Sequence, residues 1–289
     1  MDGVNVALNV RAFIEQLLER VTDLEYLRRY AEACPVPGVT PEHYAARVFQ
    51  VDPTCSVVAA IHFRHRATDF PFVDVSAQSG PLPRPLPLAQ FIEPFLCFRP
   101  RAVRIWRSAT DSPPEHAEDD LMVLAAPLRA LQAGPAFPHL QRIRLEPDPG
   151  LESYSDYRRM YEAVHSVAPE TAAFAVPETQ STLVECAAAG AFFRVLIDNA
   201  LAGVIAARPE SYRCWRGWHM VEEVLHPDFR GRQLAPAMQQ AFLRQLDADC
   251  APCVFGTISA GNTPSLKTAL RVGRRLVEVG TFVKLDSGL

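Results

Sequence analysis

The chain has 289 residues, 48% of them hydrophobic and 21% charged, with a formal net charge of −4. That length accommodates one large domain or two ordinary ones, with the composition of a soluble globular protein. The charge excludes bulk attraction to nucleic acid or an anionic membrane, and no apolar run approaches the ~20 residues that span a bilayer.

The segment from Met1 to Arg20 lacks the basic-then-apolar order of a signal peptide, so a cytoplasmic location is expected. Seven cysteines, odd in number and scattered, do not make a disulfide framework. Cys250-Ala-Pro-Cys253 has redox-motif spacing, yet it sits just before a predicted strand and no second pair completes a zinc site. No metal site is expected.

Over residues 10–33 the apolar positions Phe13, Leu17, Leu18, Val21, Leu24 and Leu27 recur at helical spacing. Residues 55–63 and 70–77 read as two strands joined by a polar loop, 101–107 as another strand, and 119–131 as a helix. Three proline-rich stretches interrupt this pattern, at 80–87, 111–115 and 133–138. The first two read as loops. The third precedes a fresh pattern and marks the expected boundary between an N-terminal domain (1–135) and a C-terminal one (139–289).

Beyond it, residues 141–146 begin as a strand, followed by helical segments at 151–165 and 179–189. Strands at 192–197 and 201–207 flank Asp198-Asn199-Ala200, and Asp-Asn suits the positive-φ positions of a tight hairpin. Then come a strand (218–225), a helix (233–246), a strand (254–259), a helix (264–272) and a last strand (277–285). A three-strand meander leading into alternating strands and helices predicts an α/β fold with a mixed sheet.

Between the strand ending at Leu225 and the helix after Gln233 lies Arg230-Gly231-Arg232. A helix N-terminus exposes unpaired N–H groups at the positive end of its dipole, so a basic turn placed there suits phosphate or pyrophosphate. Taken alone, such a turn is more often a plain glycine turn with exposed arginines. The wider string Leu225-His-Pro-Asp-Phe-Arg-Gly-Arg-Gln-Leu-Ala235, however, resembles motif A of the GNAT superfamily of acyl-CoA-dependent N-acyltransferases. Downstream, Asn262-Thr-Pro-Ser-Leu-Lys-Thr-Ala-Leu-Arg-Val-Gly273 resembles the superfamily's asparagine element, on the helix after the fifth strand. The two pieces stand in the order that fold demands, and the resemblance covers roughly residues 140–285.

The resemblance implies a mixed central sheet flanked by helices, acetyl-CoA or another acyl-CoA as co-substrate, and an amine acceptor. It assigns the pyrophosphate to the main-chain N–H groups of Gly231, Arg232, Gln233, Leu234 and Ala235, with Arg230 opening the motif. The main chain of Val224 and Leu225, beside a bulge, would pair with the pantetheine amides, and Asn262 would touch the same arm. Two positions depart from the pattern. Gln233 replaces the first motif glycine, and Ala269 stands where many members place a tyrosine that protonates the leaving thiolate.

Making an amide from a thioester requires an uncharged amine, a base and a group that polarises the carbonyl. His219 matches the base position on the strand before the turn, and Glu223 is the backup, acting through a water. Simple alternation puts His219, Val221 and Glu223 on one face and Glu222 on the other, a parity that a bulge would change. One of the two adjacent glutamates is expected to be a solvated strand residue. Trp215, Trp218 and Phe229 are pocket candidates, although such aromatics are more often core.

The N-terminal half has the same coarse element order without the basic turn, and is expected to be an α/β domain and a candidate degenerate second copy. The expected function is transfer of an acyl group, acetyl in the first instance, from coenzyme A to an amine of a small molecule or protein. The alternative is a non-catalytic acyl-CoA-binding regulatory protein, motivated by Gln233 and Ala269.

Overall fold

The computed structural model describes residues 3–64 and 67–285. The chain folds as two units, one of Leu121–Val277 and one of the residues up to Asp120 together with those from Glu278 onward. Among the described residues no helix is long and apolar enough to cross a membrane, and all seven cysteines are free.

The first unit contains α1 (Gly3–Thr22), α2 (Leu24–Ala33), β1 (Arg47–Asp52), β2 (Cys55–Phe63), β3 (Pro71–Gln78), α3 (Leu88–Ile92) and β4 (Ala102–Ser108). The helix predicted over 10–33 is divided. Asp23 starts a second helix because its carboxylate accepts the N–H groups of Glu25 and Tyr26, each at 3.0 Å. The strand order is β1-β2-β3-β4-β11, where β11 (Arg275–Lys284) lays Glu278–Lys284 antiparallel along Ala102–Ser108. Leu27, Ile61, Val73, Phe91 and Phe95 fill its core.

The second unit contains the end of β5 (Ala117–Pro127), then α4 (Leu128–Gln132), β6 (Ile143–Pro147), α5 (Tyr154–Val167), α6 (Gln180–Ala188), β7 (Phe192–Ile197), β8 (Ala200–Tyr212), β9 (Trp215–Leu225), α7 (Leu234–Leu243), β10 (Cys253–Ser259) and α8 (Thr263–Val272). Its strand order is β6-β7-β8-β9-β10-β5. The Asp-Asn hairpin forms as expected, with φ of 51° and 67° at Asp198 and Asn199. On one face of the sheet, α7 buries Leu234, Met238 and Phe242 against Val195, Ile205 and Met220. On the other, α5 and α6 bury Tyr157, Met160, Val164, Leu183 and Cys186 against Phe192, Val204 and Val224. Fully burying side chains of this size contributes roughly 1.5–3 kcal/mol apiece.

Residues 119–131, expected as one helix, are mostly strand. Leu121–Pro127 pairs residue for residue with Ser259–Cys253, and only Leu128–Gln132 is helical. Leu, Met and Ala favour a helix in isolation, but a place beside β10 with Val123 and Leu124 fully buried overrides that preference. The expected boundary at 133–138 lies inside the second unit. Gln240 of α7 holds that stretch through Phe137 N–H (2.8 Å) and Pro135 O (2.7 Å), and the division falls instead at Asp120/Leu121 and Val277/Glu278.

The two units share one local device. In the first, the β2–β3 register slips after Val58 and leaves Ser76 extra on β3, and the parallel pairing of β3 with β4 ends at Val75/Ile105. In the second, the β8–β9 register slips after Ala206 and leaves Val221 extra on β9, and the parallel pairing of β9 with β10 ends at His219/Phe255. In the first unit side chains fill this place. Asp74 accepts from Ser76 Oγ (2.5 Å), Arg104 Nε (2.7 Å) and Trp106 Nε1 (3.0 Å). Burial pushes its carboxyl up, yet Arg104, His62 and the Ser76 hydrogen bond together hold it well below the usual carboxylate range. The proline run then leads to α3, a helix of five residues, where the second unit has its basic turn and α7.

Candidate active site

β9 and β10 run parallel but pair only at Trp218/Val254 and His219/Phe255. Beyond that point β9 stays on β8 and β10 stays on β5, so the two strands part. The Val221 bulge adds local twist just where they separate. The resulting cleft, about 620 Å³, has Val221–Leu225 on one wall and Gly256–Ser259 on the other. Asn262 and Ser265 of α8 line it too, as do Phe174 and Glu178 from the segment between α5 and α6.

The ladder decides which main-chain groups face this opening. His226 N–H donates to Ala202 O at 2.8 Å, so alternate residues back along β9 bond β8. Val224, in register with Val204, turns its polar groups to β8, whereas Glu223 and Leu225 turn theirs to the cleft. Of the two expected pantetheine partners only Leu225 presents its main chain, and its carbonyl already accepts from Arg230 Nε at 2.8 Å.

At the turn, Gly231 has φ +73° and Gln233 φ +57°. A Cβ on Gly231 would meet nothing within 4 Å, so glycine is needed there for conformation and not for space. Gln233 adopts the left-handed conformation that the superfamily's glycine would supply, at a cost of ~1–2 kcal/mol for an L-residue. It is the N-cap of α7 but makes no side-chain cap; its Oε1 accepts from Arg271 Nη2 instead (3.0 Å). The first N–H groups of α7 are therefore open to an anion. Arg232 is exposed, Leu234 anchors the helix in the core, and Ala235 packs beside it. Asn262 Oδ1 accepts from Ser265 N–H (3.3 Å) as the cap of α8, which leaves its amide NH₂ for a ligand. Ala269 is buried among Leu124, Ile258 and Leu266 and sends nothing into the cleft.

The bulge also reverses the expected parity of the carboxylates. Glu222 points to the α5 face and accepts from Tyr157 OH (2.5 Å), Tyr161 OH (2.8 Å) and Glu223 N–H (2.9 Å). Burial pushes its carboxyl up to about 7 in spite of these bonds, and burial with the nearby Glu222 drives both phenols far above their usual range. Glu223 points to the α7 face, ion-paired with Arg274 Nη2 at 2.8 Å and hydrogen-bonded by Gln239 Nε2. Neither glutamate is the solvated strand residue that was expected.

His219 lies at the apex of the cleft. Its ring stacks on Phe255 (centroids 4.9 Å apart, 6°) with Tyr212 in a parallel plane at 6.4 Å, and its Nδ1 meets Glu210 Oε2 at 2.7 Å. Burial raises the Glu210 carboxyl, but His219 and Arg208 outweigh it and hold the group below its usual range. An ionised Glu210 accepts only, so Nδ1 donates to it and Nε2 is the nitrogen left to act as a base. Nε2 has no hydrogen-bond partner among the described residues.

Glu210 and the two tyrosines were missed in the sequence. Glu210 lies beyond the predicted end of β8, and the tyrosines reach Glu222 from α5, more than sixty residues upstream. Trp218 is a core residue whose Nε1 bonds Asp247 O (2.9 Å), whereas half-buried Phe229 packs on that core and also lines the cleft.

A mixed sheet whose two central parallel strands part beside a bulge, with a helix starting at a left-handed turn on one of them, is the fold of the GNAT acetyltransferases. Among solved structures the chain is similar to a GCN5-related N-acetyltransferase from Sphaerobacter thermophilus at 15% identity, covering 96% of this chain and 93% of that one with a TM-score of 0.53. It is also similar to a GCN5-related N-acetyltransferase from Kribbella flavida at 13% identity, covering 84% and 91% with a TM-score of 0.50. No family model matches the chain, and no curated protein matches it in sequence.

Proposed function

We propose that the protein transfers an acyl group, acetyl in the first instance, from coenzyme A to an amine of a small molecule or protein. One observation carries this reading: a single cleft has an anion-ready turn at one end and an oriented, unpartnered imidazole nitrogen at the other. From Leu225 back to Met220 the strand covers roughly 17 Å at ~3.4 Å per residue, a reach comparable to an extended pantetheine arm.

In this reading the N–H groups of Gly231, Arg232, Gln233, Leu234 and Ala235 hold the pyrophosphate, with Arg230 and Arg232 adding charge. The Leu225 N–H, the Glu223 carbonyl and the Asn262 amide hold the arm. Val221, outside the β8 ladder, offers its N–H to polarise the acyl carbonyl. His219 Nε2 takes the proton of the attacking amine, and Glu210 steadies the imidazolium that forms. Glu222, on the same face with a proton affinity near neutrality, is a second acceptor. Glu178 and Glu222 in the lining favour an acceptor that arrives as a cation.

Calorimetry with coenzyme A tests the binding half, and release of free thiol from acetyl-CoA with a panel of amines tests the chemistry. His219→Ala is expected to lower turnover ~10²–10⁴-fold with coenzyme A affinity kept. Binding without thiol release for any amine would favour the regulatory alternative, and no binding would refute both.

A further inference from the structure

Arg274 lines the same cleft with only 2% of its side chain exposed. Its Nη2 is occupied by Glu223 Oε1 (2.8 Å) and Gln239 Oε1 (3.1 Å). Its Nε is buried with no hydrogen-bond partner. Its Nη1 lies 2.9 Å from where a Cβ on Gly256 would stand, so the glycine makes room for the guanidinium. Gly256 is the first residue of β10 beyond the last pair with β9, which places the cation at the apex, where the strands part.

A buried donor left unmade is costly, and one that persists in a ligand cleft marks the place of an acceptor. Both two-pronged edges of a guanidinium include Nη2, which is already occupied, so a carboxylate cannot dock bidentately here. What remains suits an anion centred on a single atom. An arm held by its phosphates at the turn brings its sulfur to the apex, and α8 supplies no acid because Ala269 is apolar and buried.

We infer that Arg274 is a catalytic residue that stabilises the coenzyme A thiolate as it leaves. This rests on the acyltransferase reading above. The amine nitrogen bonds to the carbonyl carbon, the C–S bond breaks, and the sulfur keeps the electron pair as a thiolate facing Arg274. The proton lost by the amine passes to His219 Nε2 and then to the sulfur, so that free thiol is released.

The test compares the wild type with Arg274→Gln and with the double variant Glu223→Gln/Arg274→Gln, which leaves no uncompensated buried charge should the single change unfold the protein. Calorimetry first establishes coenzyme A binding in each. The thiolate absorbance of the bound coenzyme is then followed against pH, with bound desulfo-coenzyme A as the blank. The wild type is expected to hold the thiol–thiolate equilibrium about tenfold or more toward thiolate, one pH unit below free coenzyme A. That shift should vanish in the variants that bind. If the wild type binds coenzyme A but its thiol titrates like the free one, or the shift survives the loss of Arg274, the role of Arg274 is overturned and the acyltransferase reading stands. If the wild type does not bind coenzyme A, both fall.

Discussion

Replacing Glu222 by glutamine is expected to reverse its effect on stability between acid and alkaline solution. The native carboxyl binds its proton more tightly than the unfolded one, because burial beside Tyr157 and Tyr161 raises it from 4.5 to about 7. Between those values the native state keeps a proton that the unfolded chain has released. Stability therefore falls as pH rises, by about 1.4 kcal/mol per pH unit and roughly 3 kcal/mol in all. Glutamine cannot ionise, so this loss disappears. In its place comes a constant cost of about 1 kcal/mol, since the amide NH₂, unlike an acid hydroxyl, cannot accept from a phenol. The variant should thus be about 2 kcal/mol more stable than the wild type near pH 8, and about 1 kcal/mol less stable near pH 4.5. Urea unfolding of both proteins across that range gives the difference curve, in which every other titrating group cancels. A flat difference would mean that Glu222 ionises as it would in water, and the reasoning from burial would be wrong.

Four further outcomes are expected. Arg230→Ala with Arg232→Ala should weaken coenzyme A binding tenfold or more, since charge-assisted contacts are worth about 1.5–3 kcal/mol each; unchanged calorimetric affinity would move the pyrophosphate off this turn. Gln233→Val should be about 1–2 kcal/mol less stable in thermal melts than Gln233→Gly, because a β-branched residue tolerates φ +57° poorly; equal melting would deny the left-handed turn. Glu210→Gln should cut turnover about tenfold or more while coenzyme A affinity holds, as the ring loses the acceptor that fixes its tautomer; loss of affinity alone would make Glu210 merely structural. A fragment of residues 121–277 should fold and bind coenzyme A, whereas 139–289 should not fold, since it lacks β5 and the buried Leu124, Leu128 and Leu131; circular dichroism of the two separates the possibilities.

Much of the second unit was legible because its signals are local. Asp198-Asn199 dictates the hairpin, the strand–turn–helix run through Arg230-Gly231 has its own punctuation, and α8 starts at a capping asparagine. What escaped depends on distant partners. The run His219-Met-Val-Glu-Glu-Val-Leu225 alternates plausibly in either parity, and only the slip against Ala206/Ala207 on β8 decides which glutamate faces which layer. Glu222 reads as a solvated strand residue until two tyrosines of α5 surround it, and Glu223 until Arg274 pairs with it. β5 looked helical because nothing in residues 119–131 announces that β10, more than a hundred residues later, will lie beside it. The assignment of Glu278–Lys284 to the first unit likewise has no local signature.

That last strand has a consequence for synthesis. The edge of β4 that Glu278–Lys284 covers is made early, and its cover is translated roughly 175 residues later. At about 5–20 residues per second, the nascent chain carries a naked strand edge for about 9–35 s before its partner emerges. An unpaired edge is a template for pairing with any other extended chain. Slowing translation downstream of β4 should therefore lower soluble yield more than slowing it upstream.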